Sequence, residues 1–580
     1  VPPFIDDARD GEYFDLLRRK DVPGEMIDKA VRMKRVVPGF LDRCADQVLD
    51  TAPAVVGFTT TFSQSVPSLV LARLLKEQRP DLITVFGGAN CDGPMGAALH
   101  REFPWIDVVV RGEAERVLPP LIEELLAGRS PTPRSGLCYR SAGTSVAVPL
   151  GGDAAVAMDD VATPDYDEFF ERIDRDPELG LHYRPYVKLP FESSRGCWWG
   201  AKSQCTFCGL NGTTIRFRSK PAERVVAELR ALAERHRVLE FQAVDNIIDL
   251  DHVARVMPAL RDAGLDLRLF YETKSNLKRP QLRLLRDAGV HAIQPGIESL
   301  STPILKLMKK GVTALHNVRL LKWCAELGVR VMWNLIYGFP GEPRDEYARM
   351  AALVPALAHL EPPSLNRLHL DRFSPYHDRP AEHGIEIGPP LPHYRFLYPV
   401  DDAALADIAY AFSLRYTDGR DPEDYIGPLR DAVKAWQANW QIASRPLFGA
   451  GSLRRRRGPG FVLLCDRRSG FAARDHHLSG ADAAIYAACE DGATPAEIAR
   501  RLVDGGHAPR GEASIRDLCR DLTAARLMFE EGDRFLALAL PASPDAQPER
   551  TDDEQPRTPR RVLSVLPPQP HAPPPQETHP

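Results

Sequence analysis

The chain has 580 residues and a net charge of −5. This length indicates three or four domains, and the charge excludes a bulk electrostatic attraction to nucleic acid. No apolar run is long enough to span a membrane, no signal peptide opens the chain, and ten scattered cysteines indicate a reducing cytoplasm. Because residue 1 is Val, we expect the start of the protein to be incomplete.

The first 150 residues predict a helical segment, 1–52, followed by a Rossmann-like α/β domain, 53–150. Apolar strands such as "AVVGFTTTF", "LITVFGG" and "IDVVVRGE" alternate there with helices, which indicates a parallel sheet. Such sheets bind ligands at the carboxyl ends of their strands. Six residues fall at those ends: Thr59, Ser63, Gly87, Gly88, Gly112 and Glu113. For any one glycine, a tight turn is the alternative explanation.

A polar linker, 151–185, precedes a second strand–helix alternation that covers 186–375. Its strand patterns are 186–193, 239–246, 267–274, 291–298, 330–339 and 365–373. Six βα units can curl into a partial barrel, whose active site would lie at the carboxyl ends of the strands. Residues 376–445 predict a helical extension of this core.

The end of the chain predicts a small unit, 446–540, and a Pro-rich disordered tail, 541–580. Three helices, an acidic turn and the apolar strand "DRFLALAL" are typical of a winged helix, and the last strand would have an exposed edge. Acidic side chains in the third helix and the turn make DNA a poor partner.

The stretch "SSRGCWWGAKSQCTFCGLNG" carries Cys197, Cys205 and Cys208 directly after the first barrel strand. A structural zinc site needs four ligands, and no fourth Cys or His lies nearby in sequence. Three thiolates can instead hold three irons of a 4Fe–4S cluster and leave the fourth iron open. Zinc stays possible if a distant residue closes the site.

This loop resembles the cluster loop of the radical S-adenosylmethionine (SAM) enzymes, which usually reads C-x3-C-x2-C. Here the first gap is longer, and the motifs "ESSRGCWWG" and "CTFCGLNG" surround the cysteines. In these features the chain resembles the peptide-maturation (RiPP) radical SAM proteins described as C-methyltransferases, and the resemblance covers about residues 53–420. The resemblance implies that the three cysteines bind the cluster and that SAM chelates the open iron. An electron from the cluster, supplied by a donor such as a flavodoxin or ferredoxin, would then yield a 5′-deoxyadenosyl radical.

The same resemblance implies SAM-binding and substrate-facing residues. The implied SAM contacts, several of them in "AIQPGIES" and "LIYGFPGE", are Phe207, Asp245, Lys274, Ser275, Gln294, Gly296, Glu298, Ser299, Tyr337 and Gly338. The candidates for the substrate wall are Trp198, Trp199, Arg372 and Tyr376. The alternative for each is a hydrogen bond at a strand end or plain packing.

The N-terminal sheet resembles the cobalamin-binding domain of this subgroup, although the first strand of such a domain is not visible before Val1. We therefore expect a truncated domain. The sequence "DHHLSG" (475–480) matches a cobalt-ligating pattern, but it lies far from the sheet, so we reject His477 as a ligand. The six strand-end residues of the sheet are then the candidates for cobalamin contacts.

Together these resemblances predict cobalamin-dependent C-methylation of a ribosomally made precursor peptide, whose leader the winged helix would bind as an added strand. One alternative is a radical SAM peptide epimerase or carbon–sulfur bond-forming enzyme that does not use cobalamin. A second is an iron–sulfur sensor with a DNA-binding winged helix.

Overall fold

The computed structural model describes residues 9–19, 22–151, 155–443, 452–468 and 473–542. Most of the predicted disordered tail, 543–580, lies outside the described residues. Within the described ranges, no helix combines the length and the apolar character that crossing a bilayer requires.

Five α-helices and a five-stranded sheet form the described N-terminal part. The elements are α1 Asp10–Arg19, α2 Gly24–Asp50, β1 Val55–Thr59, α3 Ser65–Gln78, β2 Ile83–Gly87, α4 Gly93–Glu102, β3 Val108–Val110, α5 Leu118–Leu126, β4 Leu137–Ser141 and β5 Thr144–Ala147. The strand order is β1-β2-β3-β4-β5, and the first three strands are parallel as predicted. The antiparallel hairpin β4–β5 is absent from the sequence prediction. Its strands are short and partly exposed, so they carry a weak pattern. Its turn consists of Ala142 and Gly143, both at positive φ.

The segment predicted as an irregular linker contains two helices. They are α6 Asp167–Arg175 and α7 Pro177–Tyr183. The Asp176 carboxylate accepts hydrogen bonds from the N–H groups of Glu178 and Leu179 and so caps α7. The prediction of an irregular linker over 151–185 is therefore wrong for this part.

A partial barrel follows. Its elements are β6 Leu189–Phe191, β7 Ser194–Arg195, α8 Trp198–Ser203, β8 Arg218–Ser219, α9 Ala222–His236, β9 Glu240–Ala243, α10 Leu250–Asp262, β10 Arg268–Thr273, α11 Arg279–Asp287, β11 Val290–Pro295, α12 Thr302–Leu307, α13 Ala314–Leu327, β12 Arg330–Val331, β13 Asn334–Tyr337, α14 Asp345–Leu357 and β14 Ser364–Arg367. One parallel sheet has the order β12-β11-β10-β9-β6, and β13 pairs with β14. A bridge between Glu298 and Leu335 joins the two.

The region after the barrel is mixed, so its prediction as a helical extension over 376–445 is wrong in part. Its elements are β15 Leu370–Asp371, α15 Pro375–Asp378, β16 Ile385–Pro390, α16 Tyr394–Leu397, α17 Asp402–Ile408, β17 Ala411–Tyr416 and α18 Glu423–Ala443. β17 lies between β15 and β16 in an antiparallel sheet. Tyr398, Leu405 and Ile408 belong to the hydrophobic core of the N-terminal sheet, so this extension joins the sheet to the barrel.

The C-terminal unit consists of two small sheets around three helices. Its elements are β18 Leu453–Gly458, β19 Phe461–Asp466, β20 Arg474–Ser479, α19 Gly480–Ala488, α20 Pro495–Asp504, α21 Glu512–Ala524, β21 Met528–Glu531, β22 Arg534–Ala537 and β23 Leu540–Pro541. The larger sheet has the order β20-β19-β18-β23, and β21 pairs with β22. Three helices and a hairpin accord with a winged helix, which stays a prediction.

The predicted exposed edge on "DRFLALAL" is wrong. Every residue from Phe535 to Leu540 is buried. β22 pairs with β21 on one side, Phe535 bridges to Ala493 on the other, and Leu540 pairs with Arg454. The strand is part of a hydrophobic core that this unit shares with the barrel.

Candidate active site

The three cysteines lie on one loop that starts and ends in a small ribbon. β7 and β8 pair antiparallel at its base, and we call residues 196–217 between them the cluster loop. Two glycines permit its path. A Cβ on Gly196 would clash with the backbone of Arg216, and a Cβ on Gly209 would clash with the Arg372 carbonyl oxygen, so only glycine fits at either position.

The thiols of the cluster loop are close enough to influence one another. Burial raises the pKa of Cys208 to about 12, and the neighbouring Cys205 and Cys197 add to this effect. Burial also raises the pKa of Cys205, while Lys310 and Lys274 oppose the shift. Among the described residues, no three His, Cys, Asp or Glu side chains are placed to hold a single metal ion. Three neighbouring thiols with two lysines beside them could hold an anionic group.

Two lysines stand beside these thiols. Lys274 follows β10; its Nζ lies 3.9 Å from the centre of the Trp199 ring and donates to the Lys310 carbonyl oxygen. Burial and the neighbouring Lys310 lower the pKa of Lys274 to about 8. Burial alone would lower the pKa of Lys310 as well, but Glu298 and the two nearest thiols together raise it. The Lys310 ammonium is 3.5 Å from Glu298.

Two buried hydroxyls at the end of β10 have no hydrogen-bond partner among the described residues. They belong to Thr273 and Ser275, on either side of Lys274. Glu272, one residue earlier, has its pKa raised to about 7 by burial and by the carboxylates of Glu298 and Asp245. Buried polar atoms without partners are costly, so this end of the barrel is prepared for a polar ligand.

Other predicted SAM contacts are already engaged within the protein. The Asp245 carboxylate accepts from the N–H of Ser193 at 2.8 Å and also from its hydroxyl. Ser299 is fully buried and caps the turn at Ser301, and the Tyr337 hydroxyl donates to Glu423 at 3.0 Å. These hydrogen bonds stabilise the loops at the ends of the barrel strands. A SAM contact at these three residues stays a prediction.

The remaining predicted SAM residues lie on the cluster loop or at the ends of β11 and β13. The ring of Phe207 lies 5.7 Å from that of Phe339 and is half-buried. Gln294 is half-buried at the end of β11, and a Cβ on Gly296 would lie 2.5 Å from the Lys310 Nζ. Gly338 is at positive φ and donates its N–H to Glu342 at 3.0 Å.

The predicted substrate wall divides into two halves. Trp198 and Trp199 are half-buried on α8, and Trp199 donates its indole N–H to the Lys309 carbonyl oxygen at 3.1 Å. In contrast, the Arg372 guanidinium is buried and donates to the carbonyl oxygens of Ala409 and Ala406. Tyr376 is buried against Phe339 and His383. Arg372 and Tyr376 make these contacts within the protein, and their place in a substrate wall stays a prediction.

The carboxyl edge of the N-terminal sheet meets the cluster loop. The Asp92 carboxylate, at the start of α4, accepts from the Thr213 N–H at 3.0 Å and from its hydroxyl at 2.9 Å. The Phe373 ring occupies the space that a Cβ on Gly93 would need. The carboxyl edge of the N-terminal sheet therefore packs against the cluster loop. The carboxyl ends of the strands in the sheet and in the barrel face the junction between them.

The predicted cobalamin residues fall at this junction with different roles. Thr59, Ser63 and Gly88 are exposed, and Gly87 and Gly112 are half-buried. A Cβ on Gly88 would lie 2.6 Å from the Thr60 carbonyl oxygen, so this glycine is explained by a close backbone approach. Glu113 is paired with Arg218 and Arg195, and a cobalamin contact at Glu113 stays a prediction.

Exposed apolar side chains stand on the loops that meet here. Phe62 is 84% exposed, Leu210 58% and Val244 55%. The Asn90 amide joins the loop of Phe62 to that of Asp92, and the Asn246 amide donates to Asn211 beside Leu210. These exposed apolar side chains are available for contact with an apolar group.

Some residues of the site are missing from the sequence prediction. Lys310, Glu272 and Arg195 are the main ones. Lys310 has one local signal, a lysine pair followed by glycine in an apolar stretch. Arg195 and its partner Glu113 are 82 residues apart in numbering, so no local pattern links them.

One part of the chain matches a known protein family. Residues 191–354 match the radical SAM superfamily, so the chain contains a radical SAM domain, and the prediction is confirmed at this level. The cobalamin-dependent SAM radical enzyme OxsB, solved with aqua-cobalamin and SAM bound, aligns with a TM-score of 0.51 at 15% identity over 70% of this chain and 60% of that chain. This likeness confirms the predicted α/β fold.

Two curated relatives match about half of the chain. An uncharacterized methyltransferase of Pyrococcus horikoshii is 28% identical over 298 residues, which cover 51% of this chain and 62% of that protein. An anaerobic magnesium-protoporphyrin IX monomethyl ester cyclase of Rubrivivax gelatinosus is 27% identical over 318 residues, covering 52% of this chain and 54% of that protein. The chain thus spans less than two thirds of either relative.

Proposed function

We propose that this protein is a radical SAM methyltransferase that uses a 4Fe–4S cluster, SAM and cobalamin. The observation that carries the proposal is the junction of the cluster loop with the carboxyl edge of the N-terminal sheet, through Asp92 and Thr213. The cluster loop would then bind one ligand and the carboxyl edge of the N-terminal sheet another, on opposite sides of this junction. The similarity to a methyltransferase and to a cobalamin-binding fold supports the same assignment.

When bound, the cluster and SAM would supply a substrate radical, and cobalamin would supply the methyl group. The residues of the chain have placement roles. Cys197, Cys205 and Cys208 would hold the cluster, and Lys274 and Lys310 offset negative charge beside it. The unpartnered hydroxyls of Thr273 and Ser275 are available to SAM, and the apolar loops at the junction would exclude water from the corrin.

The cluster assignment is tested by anaerobic reconstitution. Wild-type protein should bind one 4Fe–4S cluster and, with a reductant, cleave SAM to 5′-deoxyadenosine. Replacement of any of Cys197, Cys205 or Cys208 by Ala should abolish both, because each thiolate is the only protein ligand of one iron. Cys44→Ala is the matched control, since Cys44 is also half-buried but lies on α2. Unchanged iron in the three variants, or stoichiometric zinc, would contradict the assignment.

Methyl transfer is tested with SAM carrying a labelled methyl group. The label should appear on a carbon of the product only when cobalamin is present. SAM cleavage with a modified product but no cobalamin requirement would move the protein to the alternative class of radical SAM enzyme. The similarity to a cyclase keeps that class in view, since such an enzyme is not named for methyl transfer.

The substrate class we propose is a precursor peptide. Its support is the resemblance of the cluster loop to peptide-maturation enzymes and a free strand edge in the C-terminal unit. Within the described residues, β20 is the outer strand of its sheet and pairs with β19 alone. Most of its residues are exposed, including His477. An extended leader could add to this edge by main-chain hydrogen bonds.

This proposal is tested with a fluorescent leader peptide of a precursor encoded beside the gene. Alternate residues of an edge strand direct their N–H groups inward and outward. We therefore expect one of His476→Pro and His477→Pro to weaken leader binding while the protein stays folded, and the other to disrupt the β19 pairing. Ala508→Pro, in an exposed loop of the same unit, is the control. Unchanged leader affinity in the folded variant would refute this edge.

A further inference from the structure

The base of the cluster loop brings two positive charges together. Arg195 on β7 is directly paired with Arg218 on β8, and each strand has two residues. Like charges directly opposite each other on neighbouring strands repel. Main-chain hydrogen bonds flank this pair, from the Lys220 N–H to the Ser193 carbonyl oxygen and from the Cys197 N–H to the Ile215 carbonyl oxygen, but they do not offset the charges. A negative charge shared by both arginines would therefore stabilise the closed base.

Glu113 supplies the compensating charge from the N-terminal sheet. Its Oε2 accepts from Arg218 Nη1 at 3.0 Å, and its Oε1 accepts from Arg218 Nη2. The Nη1 of Arg195 lies 3.6 Å from the same Oε2. The three side chains are 10%, 13% and 21% exposed for Glu113, Arg218 and Arg195, so solvent screens the charges only in part.

The remaining contacts complete this arrangement. Glu113 also accepts from the Val156 N–H at 2.7 Å, which ties the segment before the barrel to the same carboxylate. Arg195 directs its other donors to Glu115 at 2.7 Å and to Glu192 at 2.7 Å. Both arginines thus have partners, and Glu113 is the carboxylate that they share.

We propose that Glu113 is a positioning residue that holds the base of the cluster loop closed and fixes the loop against the N-terminal sheet. The inference rests on the proposed function for the role of the loop, but the contacts themselves require no cofactor. Glu113 would act through Arg195 and Arg218 on the three cysteines. Its place at the end of β3 is then explained by this clamp.

The first experiment is hydrogen–deuterium exchange on the full chain without cofactors. In Glu113→Gln, the amides of residues 196–217 should exchange about tenfold faster than in the wild type, because two opposed arginines lose their shared counter-charge. Glu124→Gln is the matched control: Glu124 forms a comparable pair with Arg134, 2.8 Å between Oε2 and Nη1, but within the N-terminal part. It should leave the exchange of the cluster loop unchanged.

Two further variants separate positioning from general loss of stability. Glu113→Asp keeps the charge with a shorter reach and should restore slow exchange in part. Arg218→Gln removes one of the two opposed charges, so it should open the loop less than Glu113→Gln does, and the double variant should exchange more slowly than Glu113→Gln alone. Equal exchange of the loop in Glu113→Gln and wild type, or an opened loop in Glu124→Gln, would overturn the inference.

The second experiment uses the reconstituted enzyme. Cluster-loaded Glu113→Gln should transfer about tenfold fewer methyl groups for each SAM cleaved, because a displaced loop misplaces the cluster relative to the N-terminal sheet. An unchanged ratio would count against the clamp. If the wild type binds no cluster, the proposed function fails, while the exchange experiment still decides whether Glu113 closes the loop.

Discussion

Replacement of Gly311 by alanine should displace Trp199 from the cluster loop. Gly311 has φ +64°, and an added Cβ would lie well under 3.0 Å from two carbons of the Trp199 ring. Trp199 is held at this place by the 3.1 Å hydrogen bond to the Lys309 carbonyl oxygen and by Lys274 over its ring. The ring cannot move without losing both contacts.

The structure gives the size of this effect and its control. Alanine at a left-handed φ costs about 1 kcal/mol, and overpacking against a fixed ring adds about 1–3 kcal/mol. Gly264 also has φ +64°, but a Cβ there meets no atom within 4 Å. Gly264→Ala should therefore cost only the first amount, and the difference between the two variants isolates the contact with Trp199.

The assay is thermal unfolding of both variants, together with their iron content after reconstitution. Gly311→Ala should melt lower than Gly264→Ala by about 1 °C for each kcal/mol of the difference, because the entropy of unfolding grows with chain length. It should also bind less cluster, because Trp199 belongs to the helix that follows Cys197. Equal melting temperatures and full iron content in both variants would refute this account of Gly311.

Two further predictions concern buried charge. Burial raises the pKa of the Glu272 carboxyl to about 7, so the folded protein holds this proton more tightly than the unfolded chain and loses stability as the pH rises toward 7. Glu272→Gln should therefore stabilise the protein more and more between pH 5 and 7, with a level difference above, and a difference in melting temperature that does not change with pH would contradict this. Glu326 lies within 3.6 Å of two arginines and a lysine, so Glu326→Ala should cost about 3–5 kcal/mol in thermal unfolding, against about 0–1 kcal/mol for the exposed Glu382→Ala. Equal losses in these two variants would show that the buried cations do not depend on Glu326.

The parallel strands could be predicted because each is a short buried run between helices. β3, Val108–Val110, and β10, Arg268–Thr273, are examples. β16 and β17 could not, because they belong to an antiparallel sheet with exposed positions, and their patterns carry no strong period. The pattern "DRFLALAL" predicts a strand with an exposed edge, yet every residue from Phe535 to Leu540 is buried. Two of its pairing partners, Ala493 and Arg454, come from distant parts of the chain, and local sequence does not encode such pairing.

The site shows the same division between local and distant information. The cysteines share one loop, so their spacing is visible in the sequence. The groups that position this loop come from other elements: Glu113 follows β3, and Lys310 follows α12. Ion pairs of this kind join residues whose separation along the chain has no characteristic value, so only the folded structure identifies them.

The shared core also decides how substrate capture can be tested. The buried Lys322 of α13 donates to the Glu490 carbonyl oxygen at 2.6 Å, and the buried His359 ring makes a 2.9 Å hydrogen bond with the Leu538 carbonyl oxygen. Deletion of the C-terminal unit would leave both barrel groups without these partners and uncover the apolar surface around them. Such a deletion would therefore damage the barrel and its cluster whether or not the C-terminal unit binds a leader peptide. Substitutions on β20 leave these contacts in place, so only they separate leader binding from the integrity of the barrel.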